Sequence, residues 1–375
     1  MGKTLSEIAQ QLRDSEKKVQ LIYAFNGVGK TRLSREFKEL IAKTDSEEDG
    51  DSKNKVLYYN AFTEDLFYWD NDLDKDVDRK LVIQDNSFTD WILREEGKEK
   101  DIAAHFEHYT NSKTTPRYSP DFSEVTFYIP GQGDPETNKI KISKGEESNF
   151  IWCIFYSMLE AVIEELNEPK ANRSTDRFDD LQYIFIDDPV SSLDENHLIE
   201  LAVDLANLVK GSKSELKFII TTHSPLFFNV LFNEFKKGLK YILIKPEDNM
   251  YKLQIQENDS PFAYHLYILR ELKNAIGMNS IKKYHFNFLR NILEKSATFL
   301  GYPQWGGMLK ELDDKYSARL INLASHSSLS TDESAILTDE DKDIIKKIVE
   351  HLEDKYHFQI NPIQSSTTTS TTSSR

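Results

Sequence analysis

Apolar residues fall in short uniform runs through the first two thirds of the chain: Val19–Tyr23, Val56–Tyr59, Tyr183–Ile186, Lys217–Thr221 and Tyr241–Ile244. Runs of this length, bounded by polar or turn-forming residues, are expected as buried β-strands. Between them the spacing changes to that of helices. Thr31–Ile41 and His197–Val209 repeat apolar residues every third or fourth position, and a third helix follows Ile140–Ile142, with Phe150, Ile151, Ile154, Phe155, Met158 and Leu159 on one broad face. Strands alternating with helices predict an α/β domain. Tyr251–Ile255 lies just beyond Pro246-Glu247-Asp248-Asn249, so it is expected to close that domain as a hairpin with Tyr241–Ile244. The stretch up to about residue 138 reads as irregular, with prolines at 116, 120, 130 and 135.

After about residue 260 the strand pattern stops. Helices are expected over Phe262–Ala275, Ile281–Leu300, Trp305–Leu323 and Glu340–His357. From Ser365 to Arg375 nearly every residue is Ser or Thr, which offers nothing to bury, and this tail is expected to be disordered. The expected division is residues 1–255, residues 256–358 and a tail over 359–375.

Composition adds limits. A chain of 375 residues with 39% hydrophobic and 29% charged residues is expected to be a water-soluble protein with a sizeable core. The single cysteine, Cys153, excludes an internal disulfide and fits a reducing, cytoplasmic setting. No secretory signal or membrane span is expected, because Ile151–Leu166 is interrupted by Ser157, Glu160, Glu164 and Glu165. The net charge of −16 argues against a general nucleic-acid coat protein. Between Pro261 and Ser330, however, nine Lys and Arg face five acids, a local net of +4 that leaves −20 for the remainder. A mildly basic region on an acidic body suits recognition of one nucleic-acid target, although a solvated helix face has the same composition.

Candidate chemistry begins at Asn26-Gly27-Val28-Gly29-Lys30-Thr31, between an apolar strand and a helix. In a P-loop the backbone N–H groups curl around phosphate, a Lys reaches the β- and γ-phosphates, and a Ser or Thr hydroxyl holds Mg²⁺. Lys30 and Thr31 take those roles, with Asn26, Gly27 and Gly29 shaping the turn. Ala24 stands where the motif usually begins with Gly. Asp187 ends an apolar strand, where a carboxylate meets the same Mg²⁺, and Asp188 sits where a base or water-orienting group belongs. His223 follows the strand ending at Thr221, in position to meet a γ-phosphate. Each of these also has an ordinary explanation, since adjacent acids terminate strands and a histidine at a strand end is usually structural.

Taken in order, these residues resemble the ATP-binding-cassette ATPases of the SMC type. The resemblance implies an α/β P-loop ABC-type ATPase domain followed by a smaller, mainly α-helical domain. It makes Ser143–Ser148 the signature motif, in which Ser143 and Gly145 meet the nucleotide of a facing subunit. It also makes Ser191–Asp194 the D-loop, with Asp194 at its end, and His223 the switch histidine. Lys144-Gly145-Glu146 stands where Gly-Gly-Gln is commoner, and a clear Q-loop glutamine is missing, with Asn60 as a candidate for its place. ATP or GTP with Mg²⁺ is the implied cofactor, with Thr31 and Asp187 at the metal, and a homodimer or higher homo-oligomer is the implied assembly.

In the helical region Arg290 and Glu294 are four residues apart and share a helix face, and His326 lies near the end of the next expected helix. A base, an acid and a guanidinium suffice to cut RNA without a metal. An i, i+4 Arg–Glu pair is more commonly a surface salt bridge, and His265 and His285 compete with His326 as the acid.

The segments Met1–Leu12, Leu21–Arg35, Tyr58–Asp72, Lys144–Trp152, Tyr183–Leu201, Leu216–Pro225, Tyr284–Phe286, Leu289–Asn291, Phe299–Pro303 and Ser325–Ser327 resemble the bacterial anticodon nuclease family. The resemblance runs from Met1 to about residue 357. It implies an NTPase domain controlling a ribonuclease that cuts lysine tRNA beside the wobble base, leaving a 2′,3′-cyclic phosphate and a 5′-hydroxyl. It places the catalytic triad on Arg290, Glu294 and His326, and anticodon recognition on Gln256–His265, with Glu257 or Asp259 as the key acid and His265 beside them. It further implies silencing by a type I restriction–modification complex, release by a phage-encoded inhibitor of that complex, and control by GTP and dTTP, as a phage-defence effector. The segment between Leu12 and Val19 is shorter than the family pattern.

Three other readings share the ATPase motifs. A DNA-end tether needs a long coiled coil between P-loop and signature, which Pro116, Pro120 and Pro130 oppose. A metal-dependent DNA nuclease finds only Asp339-Glu340-Asp341, which reads better as acids capping a helix start. The third is an NTP-driven interaction module without chemistry of its own.

Overall fold

The computed structural model describes residues 2–45, 55–60, 65–70, 79–86, 89–110, 113–132, 138–189, 195–245, 250–256, 264–310, 312, 316 and 337–357. It divides into two compact units, Met1–Phe262 and Ala263–Arg375. Asp194, Glu257, Asp259, His326 and the Ser/Thr tail lie outside the described residues.

The first unit runs α1 (Leu5–Arg13), β1 (Val19–Tyr23), α2 (Lys30–Asp45), β2 (Val56–Tyr59), β3 (Phe67–Asp70), β4 (Lys80–Ile83), α3 (Glu99–Thr110), β5 (Thr115–Tyr118), β6 (Glu124–Tyr128), α4 (Lys144–Asn167), β7 (Tyr183–Asp187), α5 (Glu195–Gly211), β8 (Lys217–Thr222), α6 (Pro225–Glu234), β9 (Leu239–Ile244) and β10 (Lys252–Ile255). A π-helical turn, Asp90–Glu95, precedes α3.

The larger sheet has the order β10-β9-β1-β8-β7-β2 and is parallel except for β10. One strand, β8, therefore lies between the strand feeding the P-loop and the strand ending in Asp187. Their C-terminal ends lie side by side, where ligands of open parallel sheets bind. The β9–β10 pair is the expected hairpin, with Ile244 opposite Lys252.

The sheet is covered on both faces, which explains its uniformly apolar strands. Along β1, Ile22 packs with Leu33 and Phe37 of α2 and with Leu5, Ile8, Ala9 and Leu12 of α1. The next residue, Tyr23, meets Phe228 of α6 with ring centroids 5.7 Å apart. Helix α1 was absent from the sequence reading. Its buried residues Leu5, Ile8, Ala9 and Leu12 follow helical spacing, and Thr4 and Glu7 close a capping box at its start.

Two expectations about the middle of the chain need correction. The region before residue 138 is not irregular: it holds α3 and an antiparallel sheet of order β3-β4-β6-β5. Pro116 is accommodated because β5 is an edge strand, where a missing N–H breaks no inner ladder. Helix α4 is buried on nearly all sides rather than on one broad face. It lies between the two sheets, with Phe150 against Phe127 of β6 (5.1 Å) and Trp152 against Tyr59 of β2 (5.1 Å). A helix at this seam meets apolar surface all round. Among the described residues no helix is long and apolar enough to cross a membrane.

The second unit is helical among the described residues: α7 (Tyr264–Gly277), α8 (Tyr284–Phe299) and α9 (Asp339–Tyr356). The helix expected to start at Trp305 instead opens as a 3₁₀ turn, Trp305–Leu309. Gly306 and Gly307 disfavour a regular α-helical start there.

Candidate nucleotide site and ribonuclease face

The loop after β1 passes through two left-handed glycines, Gly27 at φ +79° and Gly29 at φ +113°, which a residue with a Cβ rarely adopts. Lys30 then begins α2 with 7% of its side chain exposed. Its Nζ donates to the Ala24 carbonyl at 3.3 Å and to Asn26 Oδ1 at 3.2 Å, and it lies 3.4 Å from Asp188 Oδ2. Asn26 thus acts by holding the lysine, a contact that spacing alone did not give.

Thr31 Oγ1 donates to Asp187 Oδ2 at 2.7 Å, and Thr221 Oγ1 donates to the other oxygen of the same carboxylate. Burial pushes the Asp187 carboxyl above its ordinary range, against the opposing effect of the two hydroxyl donors. A divalent cation would supply the charge this buried carboxylate lacks. Thr31 and Asp187, joined in one hydrogen bond at the mouth of a P-loop, fit Mg²⁺ carried on a nucleotide.

Asp188 adopts φ +55°, uncommon for a residue with a side chain. Its N–H donates to the Thr221 carbonyl at 2.9 Å, which aims the carboxylate at the end of β8. There it accepts from the His223 N–H at 3.2 Å and from Thr222 Oγ1 at 3.3 Å, and it pairs with His223 Nδ1. Burial alone would raise its pKa, but the His223 hydrogen bond and the Lys30 charge outweigh it and hold the carboxyl below the ordinary range. Two adjacent aspartates are thus pushed in opposite directions, one suited to a cation and one already paired with a histidine.

Ser143 caps α4: its Oγ accepts from the Glu146 N–H at 3.2 Å, and Glu146 Oε2 accepts from the Ser143 N–H at 2.8 Å. Gly145 is the second residue of the helix. Behind them the buried Glu147 accepts from Trp69 Nε1 and from Lys144 Nζ, each at 2.7 Å, tying the helix start to β3. At the end of β2, Asn60 Nδ2 donates to Tyr58 OH at 2.5 Å. Tyr58 OH meets Ser34 Oγ at 2.8 Å, and Ser34 donates to the Thr31 carbonyl at 2.8 Å. This relay links Asn60 to the P-loop helix. Tyr58, Ser34 and Thr221 were missed by sequence reasoning, because none belongs to a local motif and only the sheet order brings them together.

In the second unit, Arg290 Nε donates to Glu294 Oε1 at 2.7 Å along α8, with the side chains 39% and 44% exposed. The expected shared face is present. Of the competing histidines, His285 accepts the Lys282 N–H on Nδ1 at 2.8 Å, at the start of α8, and His265 Nε2 meets Asn291 Oδ1 at 2.9 Å. Burial pushes the pKa of both below the ordinary value, so both favour the neutral form, which suits a general acid poorly. Asp341, one of the acids offered for a metal-dependent nuclease, is part of a capping box: its Oδ2 accepts from the Thr338 N–H at 3.0 Å. The segment between P-loop and signature carries the second sheet, so among the described residues it supplies no coiled coil for a DNA tether.

A family model described as an AAA domain matches residues 123–354. An Escherichia coli protein named "Anticodon nuclease" is 49% identical over 389 aligned positions, covering 96% of this chain and 98% of that protein. The chain belongs to the anticodon nuclease family. As a member of the anticodon nucleases it is an endoribonuclease with an NTPase module, and the module takes a nucleotide with Mg²⁺. An SMC head domain from Pyrococcus furiosus is 14% identical at a TM-score of 0.29, covering 48% of this chain and 38% of that one. The SMC head domain from Thermotoga maritima is 11% identical at a TM-score of 0.31, covering 65% and 92%. Likenesses at that level carry no weight for this anticodon nuclease. Its P-loop ATPase fold stands on the AAA match and on the order of its own sheet.

Proposed function

We propose that this anticodon nuclease cuts lysine tRNA beside the wobble base, using Arg290, Glu294 and His326, and that nucleotide turnover at Lys30, Thr31, Asp187, Asp188 and His223 controls when it does so. The observation that carries the reading is the full-length relative, 49% identical across nearly the whole of both chains. The Arg290–Glu294 pair supports it by placing a guanidinium and a carboxylate at one spot on a half-exposed helix face.

The chemistry balances without a metal. Glu294 takes the proton of a ribose 2′-hydroxyl, and the freed oxygen attacks the adjacent phosphorus. Arg290 stabilises the pentacoordinate phosphorane, and the 5′-oxygen leaves with a proton from His326. The products are a 2′,3′-cyclic phosphate and a 5′-hydroxyl. Glu257 or Asp259, with His265, reads the anticodon. The nuclease occupies residues 256–358 and the ATPase residues 1–255.

Each nucleotide is sandwiched between Lys30 of one copy and Ser143 with Gly145 of another, with Asp194 of the D-loop also at the nucleotide, so control requires at least a dimer. GTP and dTTP act at this module, a type I restriction–modification complex in the cytoplasm keeps the enzyme silent, and a phage-encoded inhibitor of that complex releases it. The family resemblance supports this setting.

The test follows cleavage of lysine tRNA by nucleotide-loaded full-length protein, with divalent ions chelated just before the RNA is added. Wild type is expected to cut in EDTA, and Arg290→Ala, Glu294→Ala and His326→Ala each to slow cleavage by about 10²–10⁴-fold. Cleavage that stops with the chelator, or that survives all three substitutions, overturns the assignment.

A further inference from the structure

The end of α8 folds back on itself. Gly301, at φ +77°, donates to the Thr298 carbonyl at 3.3 Å, and Tyr302 N–H donates to the Ala297 carbonyl at 2.9 Å. Those two bonds make a Schellman cap, which reverses the chain over the last turns of the helix it terminates. The returning residues and the helix border an open, shallow pocket of about 450 Å³ lined by Glu294, Ala297, Thr298, Tyr302, Gln304 and Trp305, among others. Glu294, Ala297 and Thr298 are three and four residues apart and share one face, and Arg290 lies one turn earlier on the same face. The pocket is therefore the continuation of the Arg290–Glu294 pair along α8.

Its walls are anchored. Tyr302 packs so closely on Gly307 that a Cβ there would come within 3.1 Å of the tyrosine ring, and Tyr302 OH accepts from Tyr356 OH of α9 at 3.3 Å. Trp305 opens a turn fixed below by the buried Met308 and Leu309, while its own ring stays partly exposed. The site thus offers a held aromatic surface, an exposed amide at Gln304 and a carboxylate paired with a guanidinium. Its volume falls within the roughly 300–1,000 Å³ typical of small-ligand sites. Single-stranded RNA is recognised by this combination: an unstacked base lies on an aromatic ring and its edge meets an amide.

We propose that this pocket seats the base next to the scissile phosphate, stacked on Trp305 with its edge toward Gln304, so that the attached phosphate lies against Arg290 and Glu294. The inference rests on the assignment of those two residues to RNA cleavage. It gives Phe299-Leu300-Gly301-Tyr302-Pro303 a task, that of building the pocket.

The test measures kcat and KM of full-length protein on an anticodon stem-loop RNA and on the same RNA with an abasic nucleotide beside the cut. Trp305→Ala should raise KM by about 10- to 100-fold, with Trp305→Phe recovering most of the loss. Removing the base should cost wild type a similar factor and cost Trp305→Ala little more. An unchanged KM in Trp305→Ala, or a full additional loss on the abasic RNA, overturns the proposal. Should the alanine variant fail to fold, wild type that ignores the abasic substitution overturns it alone. Glu294→Ala run alongside separates the two readings. Normal cleavage by that variant removes the ribonuclease assignment, whereas a dead Glu294→Ala beside a normal Trp305→Ala removes only the base pocket.

Discussion

Lys30 and Arg290 are both cations beside a carboxylate, in opposite surroundings. Lys30 is 7% exposed and contacts the Ala24 carbonyl, Asn26 and Asp188, groups drawn from two segments that only the sheet brings together. Arg290 contacts Glu294 on its own helix, and those side chains are 39% and 44% exposed. At the nucleotide site the fold sets the charges before any ligand arrives, as the opposite displacement of Asp187 and Asp188 shows. On α8, water screens the pair, so the same two charges attract each other far less than those around Lys30.

Asp188→Asn should give the largest effect, slowing NTP hydrolysis by about 10²–10⁴-fold while nucleotide still binds, because the residue wired to His223 would no longer orient water. Normal turnover in that variant, measured by phosphate release, would move the hydrolytic role elsewhere. Lys30→Ala should abolish nucleotide binding and lower folding stability by about 1–3 kcal/mol, since it removes a cation from the buried Ala24 carbonyl and the partly buried Asp188 carboxylate. A denaturant titration showing no loss would break the comparison with Arg290.

Asp187 tests the electrostatics through pH. Its folded pKa is raised, so its contribution favours folding below the unfolded value and is lost as pH rises through the folded value. Measured without nucleotide, wild type should therefore lose stability relative to Asp187→Asn as pH climbs from about 4 toward neutrality. Parallel curves, or divergence in the other direction, would contradict the burial argument. The smallest effect belongs to the Arg290–Glu294 pair, where a double-mutant cycle on thermal stability should return a coupling of only about 0.3–0.5 kcal/mol. A coupling of several kcal/mol would show the pair to be structural.

The sequence was most legible where function is local. Asn26 to Thr31, Asp187 with Asp188 and the cap at Ser143 are contiguous stretches, so they could be picked out by spacing, while the partners that set the state of Asp187 and Asp188 come from other segments. Strands β3 to β6 were missed because each is four or five residues long and one contains Pro116, whose tolerance depends on lying at an edge. The surround of α4 was hidden for a related reason, since Glu160 and Glu164 suggest a surface helix until a second sheet is known to cover it. The Asn60–Tyr58–Ser34 relay joins residues 26 positions apart and follows no spacing rule. Arg290 and Glu294 were readable as neighbours, but the pocket beside them was not, because the Gly301 reversal that forms it is a matter of backbone dihedral.

The resting arrangement around Lys30 has one further consequence. The Ala24 carbonyl, the Asn26 amide oxygen and the Asp188 carboxylate each occupy a direction from which a phosphate oxygen would otherwise approach, so the lysine is never left bare. An incoming nucleotide exchanges one set of oxygens for another. Such placeholders hold the lysine in position without nucleotide, because oxygens of the protein already supply the partners that phosphate would later provide.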